Sequence, residues 1–293
     1  MSAPDWRIEG RDWPNAEASR FVTAGGLRWH VQVMGRGPVA LLLHGTGAAT
    51  HSWRDLAPRL AADFTVVAPD LPGHGFTAAM RRPTPVAVAT AVTALTTALD
   101  LPPALVIGHS AGAAVALTMA ERNRGMPQAI VGLGGALLPF PGMAGKLFPA
   151  MARMLFVNPF MPELLAMRAR VPGEIASFLN RSTGSRIDAR GVGLYERLLK
   201  TSGHCGGALA LMANWDLEPL QKAMPTLQLP VLLLHGERDS TIPPATSRTV
   251  AAKLPAATPH FVPDLGHLAH EEAPELHAGL ILDFARRSGI IAP

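Results

Sequence analysis

Gly108-His109-Ser110-Ala111-Gly112 is the segment whose spelling carries the most chemistry. It fits G-x-S-x-G, with the apolar run Ala104–Ile107 before it and a helical pattern, Ala111–Arg122, after it. A strand that turns so tightly into a helix leaves room only for small residues at the first and last positions. The turn lifts the serine oxygen above the strand end and leaves the next N–H, that of Ala111, aimed at the same point. A serine hydroxyl attacks an acyl carbon well only when a base takes its proton, and a histidine steered by a carboxylate is the usual base. Among the eleven histidines, His267 is best placed, in Pro263-Asp264-Leu265-Gly266-His267. That segment joins the last apolar run to the last helical pattern. His270 competes three residues on; Gly266 allows a close approach at His267, whereas His270 lies toward the final helix. For the acid, His235-Gly236-Glu237-Arg238-Asp239 follows the run Val231–Leu234. Asp239 is the choice, and Glu237 is nearer the run and could pair with Arg238. The run Ala129–Leu133 leads into Gly134-Gly135-Ala136-Leu137, with no carboxylate, so a second place for the acid is lost. A developing oxyanion needs two N–H donors. Ala111 offers one; Thr46, in His44-Gly45-Thr46-Gly47 after Val39–Leu43, offers the other. Asp70-Leu71-Pro72-Gly73-His74-Gly75 reads as a structural turn, with His74 outside the chemistry.

These residues need elements to hold them. Phe21–Ala24 and Leu27–Val33 flank Gly25-Gly26 and read as a hairpin. The runs Val39–Leu43, Phe64–Ala68, Ala104–Ile107, Ala129–Leu133, Val231–Leu234 and Pro259–Val262 are short and apolar apart from Thr65 and His260. Such runs suit strands buried on both faces of a parallel sheet. Helical patterns fall between them, at His51–Ala62, Pro85–Leu99, Ala111–Arg122, Ala245–Leu254 and Pro274–Arg287. Strand–helix alternation predicts the α/β class. The alternation stops once: residues 137–225 hold no convincing strand, and helical patterns at Ala144–Phe156, Pro162–Arg170, Gly173–Asn180 and Ala189–Lys200. We therefore expect an α/β core from residues 1–136 and 226–293, with 137–225 as a helical cap. Seven of the twelve methionines lie in that stretch, which suits a soft apolar cavity. Met143, Met151, Met154 and Trp215 are the expected substrate contacts.

Composition limits the function. The 293 residues are enough to bury a large core, and 28 Gly with 27 Pro imply many turns without reaching a disordered composition. Charged residues are 16%, against about 25% in an ordinary domain, so the surface is weakly charged. Cys205 stands alone, which excludes an intrachain disulfide and a CxxC metal or redox pair. The net charge of +4 comes from dispersed arginines, with no basic run of the nucleic-acid-binding kind. Neither a signal-peptide pattern nor a convincing membrane span is present, and a cytoplasmic location is expected. The scattered acids of the cap give no oxygen-rich site for Mg²⁺, and no metal or cofactor is expected.

The elbow, the later acid and histidine, and the H-G-T-G loop together resemble the α/β-hydrolase family over nearly the whole chain. The resemblance implies a mostly parallel eight-stranded sheet flanked by helices, with a helical cap inserted between two strands. It also implies a serine hydrolase, since the branches that open epoxides or cleave carbon–halogen bonds carry an aspartate at the elbow. Asp12-Trp13-Pro14-Asn15, Gly26–Gln32, His44–Trp53, Gly134–Gly142, Gly184–Gly191 and Gly266–Glu272 are further similar to the BchO family. That resemblance implies a role beside magnesium chelatase in bacteriochlorophyll synthesis. Its implied partners are a small-molecule substrate, with a tetrapyrrole as candidate, and the chelatase subunits; peripheral membrane contact through the cap is a further expectation. Two readings follow: an esterase-like serine hydrolase acting on a bulky apolar substrate, or a non-catalytic tetrapyrrole-binding or chelatase accessory protein on the same scaffold.

Overall fold

The computed structural model describes residues 2–123, 125–139, 154 and 158–292. Eight strands form one sheet: β1 Ser19–Ala24, β2 Leu27–Gly35, β3 Val39–Leu43, β4 Thr65–Pro69, β5 Leu105–His109, β6 Ala129–Leu133, β7 Val231–Gly236 and β8 Ala257–Val262. The spatial order is β1-β2-β4-β3-β5-β6-β7-β8. β1, β2 and β4 pair antiparallel, and every pairing from β4 through β3 to β8 is parallel.

The apolar runs become strands because both faces of the sheet are covered. Leu41, Leu43, Val106, Ile130, Val231 and Leu233 point into one buried layer. Their immediate neighbours Leu42, Leu105, Ile107, Val131, Leu232 and Leu234 point into the other. Alternate side chains of a strand face opposite ways, so a strand buried twice must be apolar at every step. Each fully buried Leu, Ile or Val contributes roughly 1.5–3 kcal/mol by leaving water. Helices α3 (Pro85–Ala98) and α4 (Ala111–Arg122) cover the first layer; α2 (Leu56–Leu60) and α12 (Pro274–Arg287) cover the second. A four-residue helix, α1 (Trp6–Glu9), lies near the chain start. Thr84 caps α3 by accepting the Ala87 N–H at 3.1 Å, with Pro85 in the first turn where its missing N–H costs nothing.

The sequence pattern predicts one helix over His51–Ala62, and the structure shows a 3-10 turn at Thr50–Trp53 followed by α2. Pro58 is the cause. A helix continuous from His51 would need its missing N–H for the Arg54 carbonyl. The chain restarts with Pro58 inside the first turn, and Asn15 Nδ2 donates to that carbonyl instead, at 3.2 Å.

Between β6 and β7 the described residues form α5 (Met161–Arg168), α6 (Glu174–Thr183), α7 (Ala189–Leu199), α8 (Ser202–Ala213) and α9 (Glu218–Ala223). The pattern Ala144–Phe156 lies, apart from Met154, outside the described residues. After β7 come α10 (Ala245–Ala251), β8, α11 (Ala269–Glu272) and α12. The register puts Leu43 beside Gly108, His109 beside Leu133, Leu133 beside Leu234, and Gly236 beside Val262. The loops after β3, β5, β6, β7 and β8 therefore leave the sheet along one rim. No helix among the described residues is long and apolar enough to cross a membrane.

Candidate active site

Ser110 stands at that rim between β5 and α4, with φ 51° and ψ −113°. A residue with a Cβ pays about 1–3 kcal/mol to hold such a backbone. Glycines on either side make the turn feasible. A Cβ at Gly112 would run into the Leu43 carbonyl, and one at Gly108 into the Gly112 carbonyl. The turn is pinned by Ser110 N–H donating to the Leu133 carbonyl at 2.9 Å and Ala136 N–H donating to the Ser110 carbonyl at 3.0 Å. Ala111 opens α4, so its N–H has no acceptor within the helix.

The loop after β7 carries Asp239 and the loop after β8 carries His267. His267 Nδ1–H donates to Asp239 Oδ2 at 2.7 Å, which leaves Nε2 as the acceptor nitrogen. Asp239 Oδ1 accepts the N–H groups of Thr241 at 2.9 Å and Ile242 at 2.8 Å. His235 Nε2 lies 3.1 Å from Oδ2 and 2.9 Å from the Ile242 carbonyl. Burial alone would raise the Asp239 pKa. The neighbouring His235 and His267 imidazoles and the Ile242 N–H outweigh it and hold the carboxyl down at about 2. Asp239 is thus a fixed anion near neutral pH. Among the described residues neither Ser110 Oγ nor His267 Nε2 has a hydrogen-bond partner. Such contacts often close only once substrate is bound.

The competing residues lie elsewhere. His270 Nε2 donates to Ser52 Oγ at 2.9 Å, and its ring lies 4.8 Å from that of Trp53. Glu237 is exposed, and Arg238 bonds the carbonyls of Asp264 and Gly184 instead. His74 is buried between the rings of His44 and His204, with Nδ1 donating to the Pro72 carbonyl at 3.2 Å. Asp70 acts as a brace for its turn: Oδ2 accepts from His30 Nδ1 at 2.7 Å and Phe76 N at 2.9 Å, and Oδ1 from Thr50 N at 2.7 Å. Trp215 is half-buried and packs on the apolar layer that includes Leu211 and Leu217. Met154 is 76% exposed. Met143 and Met151 lie outside the described residues. Two surface depressions, one at Thr93, Asn123 and Met126 and one at Trp6, Phe21 and Phe76, include none of Ser110, Asp239, His267, Met154 and Trp215. Among the described residues no group of three or more His, Cys, Asp or Glu is arranged to hold a metal ion.

Residues that the motifs did not point to brace the site. His109, the variable position of G-H-S-A-G, donates Nε2–H to the His267 carbonyl at 3.0 Å. The last turn of α6 and the link to α7 close over both later loops. Thr183 O accepts His267 N–H at 2.8 Å, and Ser185 Oγ accepts Leu268 N–H at 2.8 Å. Thr241 Oγ1 donates to Ser182 O at 2.7 Å, and Arg238 Nη2 to Gly184 O at 3.2 Å. A Cβ on Gly266 would strike Ser185, which explains the glycine before His267. These contacts span 54 to 158 positions of chain, so no local signal announces them.

Behind His267 lies a buried polar group. Glu271 Oε1 accepts Ser52 Oγ–H at 2.6 Å and Tyr195 O–H at 2.7 Å, while Oε2 has no partner among the described residues. Burial raises the Glu271 pKa to about 7 against these two donors. The folded chain therefore keeps a proton that the unfolded chain gives up above about 4.5. Stability from this group is full below that value and falls as pH rises to about 7. Glu271→Gln is expected to remove the slope: thermal melts from pH 4.5 to 8 should show the variant gaining on the parent up to about 7, then a constant gap. A gap constant over the whole range would refute the assignment.

The chemistry open to this rim is acyl transfer: a half-buried serine on a strained elbow, an imidazole oriented by a carboxylate, and the Ala111 N–H at the start of α4, unpaired among the described residues. The comparisons agree on the scaffold. Residues 40–279 match the model of the alpha/beta hydrolase family. The chain is 41% identical over 284 residues to the magnesium-chelatase 30 kDa subunit of Rhodobacter capsulatus, covering 96% of this chain and 99% of that one. It is 31% identical over 262 residues to the pimeloyl-[acyl-carrier protein] methyl ester esterase of Aromatoleum aromaticum, covering 85% and 98%. The epoxide hydrolase CorEH superposes with a TM-score of 0.79 at 24% identity, over 92% of this chain and 98% of that one, a likeness of fold. With a family match across most of its length, an eight-stranded sheet of this order and an elbow serine at the sheet rim, the chain belongs to the alpha/beta hydrolase family.

Proposed function

We propose that the chain is a cofactor-independent serine hydrolase that cleaves an ester or related acyl bond of a bulky apolar substrate, in the cytoplasm and within bacteriochlorophyll synthesis near the magnesium-chelatase step. The observation that carries the chemistry is the 2.7 Å His267–Asp239 bond on the same rim as the Ser110 elbow. Ser110 Oγ attacks the acyl carbon, and His267 Nε2 takes the hydroxyl proton. Asp239, ionised and desolvated, steadies the imidazolium. The N–H groups of Thr46 and Ala111 receive the oxyanion. His267 then passes the proton to the leaving alkoxide, and a water activated by the same imidazole releases the acid and restores Ser110. The likeness to the chelatase subunit supports the pathway; the esterase relative supports the bond class.

A fluorophosphonate probe tests the reading. The expected result is one stoichiometric adduct on Ser110 at neutral pH, together with turnover of p-nitrophenyl esters. An unlabelled, inactive protein would overturn it.

One observation favours a second reading. The likeness to a protein named as a chelatase subunit spans nearly the whole of both chains, which fits an accessory role with chelatase subunits as partners and a tetrapyrrole as ligand. Complementation separates the two: if Ser110→Ala restores pigment synthesis in a host lacking the gene, hydrolysis is not the required activity.

A further inference from the structure

Helix α8 begins Ser202-Gly203-His204-Cys205-Gly206-Gly207, a run poorly suited to a helix because glycine costs about 1 kcal/mol per interior position. Gly207 is explained by what the helix touches. A Cβ on Gly207 would overlap the Gly73 carbonyl and stand 2.8 Å from the Gly73 α-carbon. The backbone of α8 therefore lies directly on the 72–75 turn. One helical turn before Gly207, on the same face, His204 is wholly buried between two loops of the core. Its Nδ1 accepts the Gly75 N–H at 3.0 Å, so the ring proton sits on Nε2, which donates to the Gly47 carbonyl at 3.0 Å.

That carbonyl begins a chain of peptide units. The Gly47 C=O and the Ala48 N–H belong to one planar peptide, and the Ala48 N–H donates to the Gly45 carbonyl at 3.2 Å. The Gly45 C=O in turn shares its plane with the Thr46 N–H. His44 Nδ1–H reinforces the hold on the Gly45 carbonyl at 2.8 Å. In a trans peptide the C=O and N–H point opposite ways, so a fixed Gly45 carbonyl fixes the direction of the Thr46 N–H. Gly45 itself lies against Ser110, since a Cβ there would stand 3.1 Å from the Ser110 Cβ. A hydrogen bond to the carbonyl of each unit also polarises its N–H and strengthens the next link.

We propose that His204, a residue of the helices inserted between β6 and β7, is a positioning residue for the oxyanion hole. Through Gly47, Ala48 and Gly45 it sets the orientation of the Thr46 N–H. Whatever shifts α8, including a substrate held by the inserted helices, thereby alters stabilisation of the tetrahedral oxyanion. The inference rests on the serine-hydrolase reading and adds to it a coupling between substrate-holding helices and acyl chemistry.

The test compares the full-length parent with His204→Leu, His204→Asn and His204→Gln. Glutamine keeps a donor at the Nε2 position for the Gly47 carbonyl. Asparagine keeps only the acceptor toward Gly75, at similar structural cost. The probes are a p-nitrophenyl ester and a trifluoromethyl ketone, which adds to Ser110 as a tetrahedral oxyanion. Misaiming one oxyanion donor should lower kcat about 10- to 100-fold in the Leu and Asn variants, with KM within about twofold. Affinity for the ketone should weaken by the same factor, and Gln should recover most of both. The proposal is overturned if Asn and Gln behave alike, or if kcat and ketone affinity hold while only the melting temperature falls. Should Leu fail to fold, the Asn–Gln pair decides by itself. A parent with neither ester turnover nor a Ser110 adduct removes the hydrolase reading and this inference together; an active parent indifferent to position 204 removes this inference alone.

Discussion

Ser110→Ala is expected to cost ester hydrolysis about a million-fold in kcat, the scale seen when a catalytic serine is removed from a working triad. It should also abolish fluorophosphonate labelling while leaving the fold intact. The stability of variants at this position should not follow their activity. At φ 51° and ψ −113°, serine and alanine carry the same backbone strain, and their unfolding free energies should agree within about 0.5 kcal/mol. Glycine escapes strain of about 1–3 kcal/mol and gives back about 0.5–1 kcal/mol in chain entropy. Ser110→Gly should therefore be inactive and more stable than the parent. Urea denaturation beside burst kinetics reads both quantities. A glycine variant less stable than the alanine variant would show that the elbow is not strained.

The second large effect is structural. Asp70 is fully buried and braces three segments at once: the His30 ring, the Thr50 N–H before α2, and the Phe76 N–H beyond the 72–75 turn. Asp70→Ala strands those donors away from water. The expected loss is about 3–5 kcal/mol, as for breaking a buried ion pair from one side, out of a total near 5–15 kcal/mol. Burial pushes the Asp70 pKa up, but the His30 imidazole, the nearby His44 and the Phe76 N–H more than reverse this and hold it below the usual aspartate value of 3.8. A depressed carboxyl stabilises the fold above the unfolded value and loses that contribution as pH falls below it. The parent should thus lose stability below about pH 4 more steeply than the alanine variant. Equilibrium unfolding in urea at pH 7 and at pH 3.5 measures both; a loss under 1 kcal/mol at pH 7 would remove Asp70 as a brace.

The central strands and the elbow were legible because their causes are local. A strand buried on both faces must be apolar at each position, and β3, β5, β6 and β7 announce themselves that way. The elbow needs small residues at Gly108 and Gly112 whatever surrounds it. That Asp239 and His267 meet was readable because each follows a strand, β7 buried throughout and β8 half-exposed, whose loops leave the sheet at one rim. Where the cause is distant, the sequence is silent. Helix α8 looks unlike a helix because Gly207 answers to the backbone at Gly73, 134 positions away in the chain, and Gly203 to the backbone of Ser2 and Ala3. His204 reads as an ordinary histidine until the Gly47 carbonyl is beside it. The break between Thr50–Trp53 and α2 was legible in principle from Pro58. The carbonyl it frees is satisfied by Asn15, and only the folded chain brings that partner near.

The contacts made by residues 182–185 bear on how such proteins can be re-engineered. In a modular enzyme the specificity-bearing insert is exchangeable cargo: chimeras swap it and the barrel beneath keeps working. Here the short link between two inserted helices is tied to the backbone that presents both the imidazole and the carboxylate. Excision of these helices would untether the loops of Asp239 and His267, and a graft from a relative must reproduce this link to keep them in place.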